Sequence, residues 1–151
     1  MNTFDIQWSE EYATGVDIID EQHKVLFEYF IEVESVVEDG NVDDIRDIVK
    51  KLLDYAVWHN EFEEGLMSEA GYPMTIPHGK IHEAFKQRAL DYERKIENEA
   101  NPVKLAREIR TDIALWLINH IKREDKHYVK DVLAYLKKSQ RKSGKLFGLF
   151  G

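Results

Sequence analysis

The chain has 151 residues, 43% of them hydrophobic and 33% charged, which suits one domain with a sizeable core. A net charge of −8 argues against nucleic acid as a partner, and the absence of cysteine excludes disulfides, thiolate metal sites and cysteine nucleophiles. The amino-terminal stretch MNTFDIQWSEEY lacks the basic and apolar regions of a signal peptide, and no apolar run nears the roughly 20 residues that span a bilayer, so a cytoplasmic protein is expected.

Residues 1 to about 17 read as an arm without helical periodicity, whose Phe4, Ile6, Trp8, Tyr12 and Val16 are expected to seal one end of a core. A first helix starts near Asp17 or Asp20, either of which could cap it, and carries the stripe His23, Leu26, Phe30, Val33, Val37. Gly40-Asn41 ends it, glycine supplying a left-handed position and Asn41 a cap for the next helix. The second helix runs to about Ala70 with the stripe Ile45, Val49, Leu52, Ala56, His59, Glu63, Leu66, Ala70.

Gly71 opens a connector that holds Pro73 and Pro77, and Pro77 suits the first turn of a third helix. That helix carries His78, His82, Phe85, Ala89, Tyr92 and Ile96 on one face. Asn101-Pro102 reads as cap and first turn of a fourth helix, with Ala106, Ile109, Ile113, Trp116 or Leu117, and His120 facing inward. Residues 126–138 form a further short helix, and 139–151 are expected to be a basic, flexible tail outside the 1–138 domain. The fold class is therefore all-α: an antiparallel up-down-up-down four-helix bundle with an N-terminal arm and a short C-terminal helix.

One histidine on an apolar stripe is ordinary core, but a buried glutamate costs several kcal/mol unless something neutralises it. Counting from the turns indicates what does. His23 lies about 17 residues before the Gly40-Asn41 turn and His59 about 18 after it; His82 lies about 18 before the turn near Ala100 and His120 about 20 after it. At about 1.5 Å per residue each hairpin brings its histidines to one level, and the connector between helices two and three puts Glu63 near His82. Five imidazoles and a carboxylate in one layer point to metal, and their number exceeds a tetrahedral zinc site. Two octahedral-leaning ions fit better. The ferritin-like di-iron proteins need two E-x-x-H pairs, whereas this chain has only Glu124-x-x-His127.

In these motifs the sequence resembles the bacterial hemerythrins: Ile19-Asp20-Glu21-Gln22-His23, His59-Asn60-Glu61-Phe62-Glu63-Glu64, His78-x3-His82, and Trp116-x3-His120-Ile121 with Asp125. The resemblance implies two iron ions with an oxo or hydroxo bridge, one held by His78, His82 and His120, the other by His23 and His59, with Glu63 and Asp125 bridging. It implies reversible dioxygen binding at the ion with two histidines, by a protein of storage, delivery or sensing and not an enzyme. The alternatives are a di-iron oxidase, a peroxide or nitric oxide reductase, or an iron- or oxygen-sensing interaction module. Phe27, Phe62, Trp116 and Leu117 are candidates to line the oxygen pocket.

Two features depart from simple expectation. Asn60 replaces the phenylalanine that usually follows the histidine in this family, and at about 100° from His59 it is expected to turn outward. In a regular helix Glu124, four residues after His120, would take the ligand face, so the choice of Asp125 requires the helix to break or tighten between them. Glu64 and Glu124 are expected beside the ligands or exposed, and His127 at the surface. The tail's five cations, Lys137, Lys138, Arg141, Lys142 and Lys145, stand beside Leu-Phe pairs without an acid, which suits an anionic membrane surface or a protein partner.

Overall fold

The computed structural model describes the backbone over residues 6–150 and side chains over residues 6–141. Phe4 and the side chains of 142–151 lie outside the described residues. After a short 3-10 turn, Glu10–Tyr12, come α1 (Asp17–Asp39), α2 (Val42–Glu69), α3 (Thr75–Asn98), α4 (Val103–His120), a π-helical turn (Ile121–Asp125) and α5 (Lys126–Phe150). Among the described residues there is no strand, and no helix is long and apolar enough to cross a membrane. Helices α1 to α4 make the expected four-helix bundle.

The helix ends follow local chemistry. Gly40 takes φ 74 and closes α1 through its N–H on the Val36 and Val37 carbonyls. The Asn41 side chain accepts from Asp44 N at 3.1 Å and caps α2. Asp20 caps nothing. Its carboxylate instead accepts from Thr14 N and Oγ1, each at 2.8 Å, and from Gly15 N at 3.2 Å, tying the arm to α1. The arm's Trp8 and Tyr12 pack on the core as expected. Pro77 falls in the first turn of α3, and α4 starts at Val103 without a side-chain cap from Asn101.

Two boundaries differ from the sequence reading. The fourth helix and its short successor are one continuous rod, joined through the π turn. The C-terminal helix also continues past Lys138 to Phe150, because Ser139, Gln140, Arg141 and Lys142 do not break a helix.

The apolar interior is divided in two. One cluster, around Phe27, Phe30, Leu52, Phe85, Ile109 and Leu117, fills the bundle beyond His23 on α1 and ahead of His59 on α2. The other, around Val16, Ile19, Leu66, Met67, Tyr128 and Val132, closes the end where α5 leaves. A polar layer lies between the two.

Candidate metal centre

Eight groups of that layer are almost wholly withdrawn from water. His23, His59, Glu63, His78, His82, His120 and Asp125 are each at most 4% exposed, and Tyr128 is fully buried. His23 and His59, from α1 and α2, face each other with Nε2 atoms 3.1 Å apart. On the other side, His120 Nε2 lies 3.1 Å from His78 Nε2 and 2.9 Å from His82 Nε2. The equal levels expected from counting residues are what the hairpins deliver.

The two carboxylates span the groups. Glu63 Oε2 is 3.3 Å from His59 Nε2, while its Oε1 is 3.1 Å from His78 Nε2 and 3.4 Å from His82 Nε2. Asp125 Oδ2 is 3.5 Å from His23 Nε2, while its Oδ1 is 3.0 Å from His120 Nε2 and 3.6 Å from His78 Nε2. Each acid therefore turns one oxygen to each set of histidines. Candidate ligand atoms of His78, His82, His120 and Glu63 all lie within 4.8 Å of one another, as do those of His23, His59 and Glu63.

Asp125 reaches the layer through the π turn. The expected break or tightening is absent; the helix widens by one residue instead, which brings Asp125 to full burial and leaves Glu124 half-buried on the flank. Widening keeps the buried backbone around Ile121 hydrogen-bonded, whereas a break would orphan it.

The donor set fits cations. Of two facing imidazole nitrogens only one can carry hydrogen, so bare lone pairs converge from both sides. Neither Asp125 oxygen has a hydrogen bond of acceptable geometry, despite the nearness of His120. In the metal-free chain protons take part of the cation's place. Burial would lower the His120 and His78 pKa values, but Asp125 and Glu63 raise them to about 10 and about 9. Burial would raise Glu63, yet hydrogen bonds from His120, His59, His78 and His82 hold it well below the usual carboxylate range. His23 is pushed down to about 4 by burial and by His59 beside it.

Outer partners orient two of the five imidazoles. Gln22 Oε1 stands 2.6 Å from His59 Nδ1, and Glu64 Oε1 3.0 Å from His82 Nδ1. An acceptor on Nδ1 fixes the proton there and turns the Nε2 lone pair inward. Tyr128 donates to Glu63 Oε2 at 3.2 Å. The sequence reading gave no role to Gln22 or Tyr128; Tyr128, three residues after Asp125 on one helix face, is the one that spacing could have revealed.

The pocket candidates separate. Phe27 and Leu117 are buried in the larger cluster, and Trp116 stacks on His120 at 4.5 Å with ring planes 12° apart. Phe62 packs instead with the smaller cluster, on the other side of the polar layer. Asn60 does not turn outward: it is 3% exposed, because the α2 flank it occupies is covered by α3. His127 is exposed, as expected.

Comparison with known proteins agrees with this geometry. The family model described as "Hemerythrin HHE cation binding domain" matches residues 14–132. A bacteriohemerythrin of Stenotrophomonas maltophilia is 31% identical over 134 residues, covering 89% of this chain and 86% of the relative. One from Pseudomonas aeruginosa is 32% identical over 122 residues, covering 81% and 78%. The crystal structure of a wild-type hemerythrin superposes with a TM-score of 0.74 at 28% identity, covering 83% of this chain and 96% of that one.

Proposed function

The chain belongs to the hemerythrin family, and from that premise we propose that it binds dioxygen reversibly at a di-iron centre, for oxygen storage, delivery or sensing. The observation that carries the reading is the unequal pair of histidine sets, three against two, each facing one oxygen of Glu63 and one of Asp125. His78, His82 and His120 would hold one iron and His23 and His59 the other, with both carboxylates bridging. Two iron(II) ions held there would supply two electrons, and the side with fewer histidines, His23 and His59, would leave room for dioxygen.

The protein's own contribution is orientation and exclusion. Gln22 and Glu64 fix the tautomers of His59 and His82, and Tyr128 holds the Glu63 carboxylate. Phe27 and Leu117, each 2% exposed, keep bulk water away from the layer on the side of the larger cluster. The few carboxylates among many imidazoles favour binding over oxidative turnover, and we read the protein as a binder, not an enzyme.

The test is a spectrum. Reduced, iron-loaded protein exposed to oxygen should develop a visible charge-transfer band that fades on deoxygenation. Two irons per chain with no oxygen-dependent band would overturn the reading, and sustained turnover with an electron donor would replace it by an oxidase or reductase.

The same proposal includes a cytoplasmic location, supported by the lack of cysteine, and a docking role for residues 139–151. Their cations and Leu-Phe pairs suit an anionic membrane surface or a protein partner. Deleting 140–151 should leave iron content intact and abolish binding to vesicles containing phosphatidylserine; loss of folding would make the segment part of the domain instead.

A further inference from the structure

Asn60 is buried, and its Nδ2 makes no hydrogen bond to the protein. An amide N–H withdrawn from water without an acceptor destabilises the fold. The adjoining space can supply one. Asn60 lines a cavity of about 80 Å3 between α2 and α3, together with His82, Glu64 and the pair Glu61 and Lys86. Buried Asn60 and His82 form its floor. Glu61 and Lys86, paired at 3.3 Å across the two helices and 58% and 42% exposed, stand at its mouth. Glu64 lies between, accepting from His82 Nδ1 while its own side chain is 35% exposed.

A water occupies about 30 Å3 of liquid and needs two to four polar partners when buried, so this cavity has room and partners for one or two. Asn60 and Glu64 are four residues apart on α2, so their side chains are neighbours on one face, where a single water can accept from one and donate to the other. Phenylalanine at position 60 would fill the space and offer no donor.

We propose that Asn60 is a positioning residue that acts through a water held in this cavity. The water ties down the Glu64 carboxylate, and Glu64 fixes the His82 ring and strengthens it as a donor to iron. The inference rests on the reading of His82 as an iron ligand. It is specific to a chain with a polar residue at this position.

The experiment is a double-variant cycle on iron affinity, measured on the full chain by competition with a chelator of known affinity. Removing an outer partner of a metal-bound histidine costs about 10–100-fold in affinity, so Glu64→Ala should fall in that range and Asn60→Leu should lose about 3–10-fold. Asn60→Ser, which can still donate to a water, should stay within about twofold of the parent, and Asn60→Leu should add nothing in the Glu64→Ala background. Equal losses for Leu and Ser would show a packing role and overturn the proposal. So would no loss for Leu, or a loss that adds in full to that of Glu64→Ala. His82→Ala separates the two levels of inference: if it keeps both irons, the ligand reading itself fails; if it loses iron while Asn60 and Glu64 do not couple, only the positioning role fails.

Discussion

Replacing Asp125 by alanine removes the carboxylate that faces both sets of histidines, with Oδ2 3.5 Å from His23 and Oδ1 3.0 Å from His120. Loss of a partner one shell out from a metal costs about 10–100-fold, so loss of a bridging ligand from both ions should cost at least about 100-fold for each, roughly 2.7 kcal/mol. Asp125→Asn keeps the shape without the charge and should lose iron almost as fully. Glu124, half-buried on the flank of the π turn, is the contrast: its replacement by alanine should leave affinity unchanged and shift stability by no more than about 0.5 kcal/mol. The assay is iron bound per chain after desalting, beside thermal melts of the metal-free variants to show that each folds. Deleting exposed Arg123 removes the extra residue of the π turn, sets the aspartate four positions after His120, and should preserve iron binding. If Asp125→Ala kept two irons per chain while Glu124→Ala lost them, the placement of the bridge on the widened turn would be wrong.

In the iron-free chain the raised pKa values of His78 and His120 contribute stability that is full below about pH 6.5 and is lost as pH rises through 9 and 10, so the melting temperature should fall over that interval. His23, lowered to about 4, works in the opposite sense: its contribution is present above about pH 6.5 and is lost as pH falls toward 4. Loading iron at pH 7 should release at least one proton per chain, readable with a pH indicator. Away from the metal layer, burial and the hydrogen bond that protonated Glu93 donates to Asp54 raise Glu93 to about 7, which favours the folded state below about pH 4.5 and is lost as pH rises through 7. Glu93→Gln should therefore stabilise the protein at pH 8, by up to about 1 kcal/mol once solvent screening is allowed for, and have little effect at pH 4; equal melting curves at pH 8 would refute this. Tyr128→Phe removes the hydroxyl on Glu63 and should keep both irons while weakening their retention by about 10–100-fold, since a hydrogen bond to a buried charged group contributes about 1.5–3 kcal/mol.

The four helices and the level of the histidines were legible because both follow from one-dimensional quantities. Stripes at steps of three and four fix which face is buried, and residue counts from Gly40-Asn41 and Asn101-Pro102 fix height along the bundle. The π turn was only half legible. Spacing showed that His120 and Asp125 cannot share a face on a regular helix, but not how the chain reconciles them. Burial decides that: with Ile121 and Asp125 both fully withdrawn from solvent, a broken helix would expose peptide groups to an apolar surrounding, and a widened turn does not. The helical continuation past Lys138 was missed because the stripe ends there, although the backbone can remain helical where no residue forbids it.

Asn60, Gln22 and Tyr128 were misjudged for a common reason. A residue 100° from the ligand stripe is exposed or buried according to which neighbouring helix lies closer, and α3 covers that flank of α2. Gln22 adjoins His23 in the chain but serves His59 on the next helix. Tyr128 sits on α5 and serves Glu63 on α2. His59, His82 and Glu63 present their remaining polar atoms sideways, toward another helix, so their partners come from across the bundle and not from their own sequence neighbours. A single helix read alone can show which residues enter the layer; only the packing of all of them shows which residues hold those groups in place.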